Sequence, residues 1–184
     1  HVALPVRVFS FVRFTTTDIG IMGKLKVLVV GDVKGQIDVV FAKVAAFNAS
    51  KAGPFDLLFC VGQFFSSAAA NGAIGSDELA AYIEGEKQAP IRTYFVTGSE
   101  PVPPYLAGCD DGAELCENVT FLGNAGIRTI RGLSVAFLSG AFSPFAPPSA
   151  GFKFGPQHVQ LLEQRVASRL NASAAGGTSG KARS

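Results

Sequence analysis

Lys26-Val-Leu-Val-Val-Gly-Asp-Val-Lys-Gly-Gln36 decides the fold. A β-branched apolar run that stops at a glycine reads as a strand buried on both faces and feeding a loop, because double burial removes the polar alternation of a half-exposed strand. The loop leads into a helix. Between Gln36 and Asn48 the apolar residues Ile37, Val40, Phe41, Val44 and Phe47 recur at helical spacing and predict one buried stripe, which Gly53-Pro54 ends.

The same rhythm repeats. Residues 56–61, Asp-Leu-Leu-Phe-Cys-Val, form a second buried strand closed by Gly62 and followed by Phe64-Phe65. Residues 68–76 are small and flexible in composition, residues 77–84 predict a short helix capped by Ser76, and residues 91–97 predict a third strand ending at Gly98. The second half changes character. Short strands at 119–122, 127–130 and 133–139, separated by Gly123-Asn124 and Arg131-Gly132 turns, imply an antiparallel meander. After a Pro- and Phe-rich loop, Pro156 opens a helix with Val159, Leu162, Val166 and Leu170 on one face. From Ala172 the Ala, Gly and Ser content is that of a disordered tail.

A chain of 184 residues with 48% hydrophobic and 16% charged content has room for one ordinary domain with a sizeable core. The formal charge of +2 is too small to capture nucleic acid non-specifically, so any RNA is bound locally or through partners. Three cysteines, with Cys60 inside an apolar run, fit a reducing, intracellular compartment. The sequons at Asn48, Asn118 and Asn171 are of the kind expected by chance where no secretory signal is clear. No apolar run approaches the roughly 20 residues needed to cross a bilayer, which argues against membrane integration. Residues 1–21 carry Arg7 and Arg13 and read as a leader or upstream extension, with Met22 as the natural start. Met22-Gly23 does not make a myristoylation signal, because Val27 stands where Ser or Thr is needed. The expected division is therefore residues 1–21 as extension, 22–170 as the domain and 171–184 as tail.

Ligand groups collect on strand-end loops in layered α/β proteins, so Gly31-Asp32-Val33-Lys34-Gly35, Gly62-Gln63 and Gly98-Ser99-Glu100 should converge. Their spacing resembles the metallophosphoesterases, which place Asp-x-His after the first strand, Gly-Asp after the second and Gly-Asn-His after the third. In that chemistry imidazoles and a bridging carboxylate hold two metal ions that generate hydroxide and clamp phosphoryl oxygens. Asp32 matches the family aspartate, but Lys34 stands at the histidine and puts a cation where a cation would bind. Gln63 replaces the bridging aspartate, and Gly98-Ser99-Glu100 lacks both Asn and His. With only two histidines, His1 and His158, a His-rich binuclear site cannot be assembled from this chain.

The strings Lys26-Val-Leu-Val-Val-Gly-Asp-Val-Lys-Gly-Gln and Phe55-Asp-Leu-Leu-Phe-Cys-Val-Gly-Gln-Phe-Phe look like the CwfJ-type splicing-factor family. Lys87-Gln-Ala-Pro-Ile-Arg-Thr-Tyr, Leu115-Cys-Glu-Asn-Val-Thr-Phe-Leu-Gly, Gly126-Ile and Leu138-Ser-Gly resemble that family and the lariat debranching enzyme. Ordered agreement across residues 24 to 155 is far more specific than a single glycine motif. The resemblance implies an α/β fold, a metallophosphoesterase-like layered β-sandwich flanked by helices (αββα) and incomplete at its C-terminus. It also implies nuclear work in splicing and intron-lariat turnover, and the departures at Lys34, Gln63 and Gly98-Ser99-Glu100 lead to the expectation of a role without catalysis, metal or cofactor. The implied partners are the debranching enzyme, spliceosomal proteins or RNA. The vestigial site would comprise Asp32, Lys34, Gly35, Gly62, Gln63, Gly98, Ser99 and Glu100.

Plainer readings stand beside these. Asp32 could cap the following helix or bond loop amides, Lys34 could be a solvated lysine or an anion hook, and Gln63 could satisfy loop backbone. Cys109 and Cys116 have no His partner for zinc. Phe64-Phe65 and the Phe142 to Phe154 segment are either core or an aromatic patch for a partner. A working enzyme would need an altered mononuclear site, with Asp32 and Glu100 around a hard cation such as Mg²⁺. A nucleotide-binding loop is a poor match, because the P-loop pattern is not met.

Overall fold

The computed structural model describes residues 25–66, 78–99, 101–145 and 152–176, with side chains to residue 172 in the last stretch. The leader at 1–21, the segment 68–76 with its Ser76 cap, Glu100 and the tail beyond 176 lie outside the described residues.

Strand β1 (Val27–Gly31) forms where the first apolar run predicts it, and helix α1 (Ile37–Asn48) follows, burying Ile37, Val40, Phe41 and Val44. Strand β2 (Leu57–Val61) lies parallel to β1 in the register Val27–Leu57 to Gly31–Val61. After the short helix α2 (Glu78–Ile83), strand β3 (Arg92–Phe95) pairs parallel to β2. Strands β4 (Ala113–Cys116) and β5 (Val119–Phe121) form an antiparallel hairpin, and β5 also pairs parallel to β3. The result is a five-stranded sheet in the order β1-β2-β3-β5-β4. Strands β6 (Ala125–Ile130) and β7 (Leu133–Leu138) make a separate antiparallel pair, and β8 (Ala141–Phe142) pairs parallel to β9 (Lys153–Phe154). Helix α3 (Pro156–Gly176) closes the described chain and packs against β6 and β9.

The antiparallel meander expected of the second half is thus corrected. Residues 119–121 join the main sheet as a parallel strand beside β3, and only β6 and β7 form a hairpin of the expected kind, turning at Arg131 and Gly132 with φ of 48° and 83°. Local alternation fixes that a segment is a strand, whereas its neighbour is chosen by burial: Val119 and Phe121 are fully buried when placed against β3. The final helix runs to Gly176, beyond the Leu170 at which the apolar stripe ends, through Ala-rich sequence with good intrinsic helix propensity. Its stripe is only half-buried at Val159, Leu162 and Val166, and Leu170 is exposed.

Successive strand residues face opposite sides, so the main sheet supports two cores. Leu28, Val30, Leu58, Cys60, Val119 and Phe121 pack with α1 and α2 on one face. Val27, Leu57 and Phe59 pack with Ile130 and Phe137 of the β6–β7 hairpin on the other. Burial without a charged partner pushes the Cys60 thiol up to about 12, and all three cysteines are free. Phe95 stacks on Phe64 at 3.9 Å, meets Phe65 edge-on at 6.0 Å and lies 5.4 Å from Phe121. The pair Phe64-Phe65 is therefore core and exposes no patch.

Helix α1 carries no cap from its own Gln36. Instead the Glu78 carboxylate of α2 accepts the Asp38 backbone N–H at 2.9 Å, which satisfies one of the orphan donors of the first turn. The Asp38 side chain accepts from Lys87 Nζ at 2.6 Å and Tyr82 Oη at 2.7 Å. The Lys87 hydrogen bond, with a smaller contribution from Tyr82, outweighs desolvation and holds the Asp38 carboxyl below its ordinary value.

Two predictions follow from this packing. Phe95→Ala removes the ring on which three others rest and should cost about 3–5 kcal/mol in a urea-unfolding measurement. Asp38 has a folded pKa below its unfolded one, so the ionised carboxylate contributes stability at neutral pH that is lost as pH falls through the folded value. The urea midpoint of Asp38→Asn should lie below that of the unmodified chain at neutral pH, and the gap should close below about pH 4.

Candidate functional site

Three loops leave the C-terminal ends of β1, β2 and β3. The first is sewn to the second by a continuation of the parallel ladder. Asp32 N–H donates to Val61 O at 3.1 Å, Lys34 N–H to Gln63 O at 3.0 Å and Gly35 N–H to Phe64 O at 2.8 Å. Val33 is fully buried and anchors this loop in the helical-face core. Side chains complete the seam. Asp32 Oδ1 accepts the Gln63 backbone N–H at 2.9 Å, and its Oδ2 lies 3.6 Å from Lys34 Nζ. Gln63 Nε2 reaches Ser99 Oγ at 3.5 Å, bringing in the third loop.

Of the nominated residues, Asp32, Lys34, Gly35, Gly62, Gln63 and Ser99 therefore form one connected group, and Gly98 is buried behind Ser99. Glu100 lies outside the described residues. Asp32 bonds a loop amide rather than capping α1, so one of its two plain readings is the observed one. Asp32 and Lys34 adopt left-handed φ of 49° and 53°, a conformation that costs a non-glycine residue roughly 1–2 kcal/mol. The cross-loop bonds hold them there. Gly62, at φ 77°, is needed for a second reason: a Cβ there would sit 2.2 Å from Asp32 Oδ1.

A polar knot that sequence reading missed lies beneath the third loop. Ser139 Oγ donates to Gly123 O at 2.6 Å, and the Thr97 backbone N–H points at Ser139 Oγ from 3.4 Å. Gly140 N–H donates to Thr97 O at 2.7 Å, and Ser139 N–H to Asn124 O at 2.7 Å. Thr97 and Ser139 are both 2% exposed, so this knot joins β3 to the β5–β6 and β7–β8 turns inside the protein. No local sequence signal marks it, because its members come from three distant segments. Beside Gly62 opens an apolar cavity of about 490 Å³ between the main sheet and β7, lined by Val29, Phe59, Tyr94, Val135 and Phe137 among others.

The donor set does not suit a binuclear metal centre. Both Asp32 oxygens face internal partners, the neighbouring side chains are an ammonium, an amide and a hydroxyl, and no three His, Cys, Asp or Glu side chains gather as a cage among the described residues. What the loops offer is hydrogen bonding and one exposed ammonium. The molecule is thus an α/β domain whose candidate site sits on loops at the C-terminal ends of three parallel strands.

No family model matches the chain. Its sequence is 40% identical over 146 residues to CWF19-like protein 1 of Mus musculus, covering 78% of this chain and 26% of that protein. It is 39% identical over 128 residues to the CWF19-like protein 1 homolog of Drosophila melanogaster, covering 68% and 22%. A third likeness, 37% over 132 residues, is to zinc finger CCCH domain-containing protein 59 of Oryza sativa subsp. japonica, covering 66% and 21%. These likenesses support membership of the Cwf19/CwfJ family, and the chain spans about a quarter of the length of the relatives it matches.

The seam between loops can be tested through its glycine. Gly62→Ala meets both a left-handed φ and the Asp32 carboxylate, whereas Gly85→Ala, at φ 80° with nothing within 4 Å, meets only the backbone penalty. Gly85→Ala should cost about 1–2 kcal/mol and Gly62→Ala more; equal losses would mean that the Asp32 contact does not hold the loops.

Proposed function

We propose that the chain is a metallophosphoesterase-like domain, layered αββα, that has given up its metal site and serves as a non-catalytic binding module. Its setting on this reading is the nucleus, in a spliceosome-associated protein acting in pre-mRNA splicing and intron-lariat turnover. There it engages RNA, spliceosomal proteins or the lariat debranching enzyme, and modulates debranching without cutting. The family likeness supports the splicing-related setting. Helices on one face of the main sheet and a β-hairpin on the other support the layering.

The observation that carries the loss of catalysis is the Asp32–Lys34 pair. The carboxylate that would ligate a metal is 3.6 Å from a lysine ammonium and accepts a backbone N–H with its other oxygen. A divalent ion would have to displace one partner and sit beside a positive charge, with no imidazole and no bridging carboxylate gathered there among the described residues in compensation. The loops retain groups that hydrogen-bond an anion or an amide, namely Lys34, Gln63 and Ser99.

The test is calorimetry with Mn²⁺, Fe²⁺ and Zn²⁺ on the purified chain, together with turnover of a branched lariat RNA and of a simple phosphodiester. No saturable metal binding and no turnover are expected. Metal-dependent cleavage that disappears in Asp32→Ala would overturn the reading in favour of an unconventional enzyme.

A further inference from the structure

We infer that the β8–β9 ribbon and the turn after β8 form a stacking platform for single-stranded RNA, continuous with the loop site. The inference rests on the RNA-binding branch of the proposed function and adds the residues that would do the work. Among the described residues, Phe145 and Phe142 are the most exposed aromatic rings, at 93% and 59%. Phe142 meets Phe154 edge-on at 5.9 Å across the ribbon, so its ring is fixed from one side and open on the other. A ring held by its neighbour and presented to solvent is what a base stacks on, at little cost in side-chain entropy.

Position ties the platform to the site. Gly140, just before the ribbon, has its N–H bonded to Thr97 O, and Ser99 follows Thr97 by two residues as Phe142 follows Gly140. The backbones of Ser99 and Phe142 are therefore within about 20 Å of one another, a reach of a few nucleotides.

Charge favours a polyanion over a neutral or acidic partner. From Asn118 to Leu162 the sequence contains no Asp or Glu, while it carries Arg128, Arg131 and Lys153. Arg128 donates to Asp111 O and Arg131 lies 3.9 Å from Asp56. Lys153, exposed on the other face of the ribbon, forms no ion pair among the described residues and is placed to meet a backbone running along the edge. The N-terminus of the 21-residue helix α3 follows directly after β9 and adds the positive end of its dipole. Aromatic rings with sparse positive charge bind unpaired bases, whereas a duplex keeps its bases stacked internally and gains only the phosphate contacts.

The experiment is fluorescence anisotropy of a labelled single-stranded oligouridylate with the full chain, beside a labelled RNA duplex of equal length. Saturable binding of the single strand, weaker binding of the duplex, and a loss of about tenfold each in Phe142→Ala and Phe145→Ala are expected. Lys153→Ala should weaken binding and reduce the salt slope by about one. Phe145 is so exposed that its alanine variant folds regardless, and circular dichroism checks Phe142→Ala. No binding by the unmodified chain, or equal binding by Phe145→Ala, overturns the platform and leaves the non-catalytic reading intact. Metal-dependent cleavage of the oligonucleotide would sink the non-catalytic reading while the Phe145 comparison still decides the platform.

Discussion

The contact on which the rest depends is the face-to-face stack of Phe95 on Phe64, 3.9 Å between centroids. Phe95 ends β3, and Phe64 sits two residues after the glycine that ends β2, so the stack pins a loop to the core at the level of the strand ends. Phe64 also accepts the Gly35 N–H through its carbonyl, which makes the first loop lie on the second. Three backbone paths are thereby fixed from beneath by buried aromatic surface, and the polar groups above them inherit their positions. That hydrophobic floor adds to the cross-loop bonds that offset the cost of the two left-handed residues in the first loop.

Much of this was legible in the sequence, and the reasons divide cleanly. Strands β1, β2 and β3 and helix α1 announce themselves because each is a local pattern: a β-branched run stopped by glycine, or an apolar stripe at helical spacing. The convergence of Asp32, Lys34, Gln63 and Ser99 was legible for the same reason, since parallel strands put their C-terminal loops on one edge. The place of β5 beside β3 was not, because pairing is decided by which surface buries Val119 and Phe121, and nothing within 119–122 states that. Strand β4 leaves no local pattern because Ala113–Cys116 is short, polar at Glu114 and only half-buried, with a register shift before Cys116. The Glu78 carboxylate at the N-terminus of α1, and the Ser139 knot under Thr97, join residues far apart in the chain and leave no periodic trace.

The polar knot bears on how firmly the third loop is held. Ser139 supplies bonds to both Gly123 and Thr97, yet the Thr97 hydroxyl and the Asn124 side-chain oxygen are buried without a partner among the described residues. Buried polar atoms left unsatisfied carry a desolvation cost of roughly 1–3 kcal/mol, so the arrangement is not optimised for stability alone. Between the first and second loops, by contrast, three backbone bonds and the Asp32 carboxylate on the Gln63 N–H are made. The two unpartnered atoms both lie beneath the third loop.

In a metal enzyme the ion contributes to the geometry of its own ligand loops, and removing it leaves repelling carboxylates and unpaired imidazoles. Here the first two loops are joined by three backbone bonds, a carboxylate on an amide, and a glycine that makes room for that carboxylate. The Lys34 ammonium lies 3.6 Å from Asp32 and partly offsets its charge in an exposed pair. On the proposed reading these loops present Gln63 and Ser99 for recognition, with the exposed phenylalanine ribbon at their border.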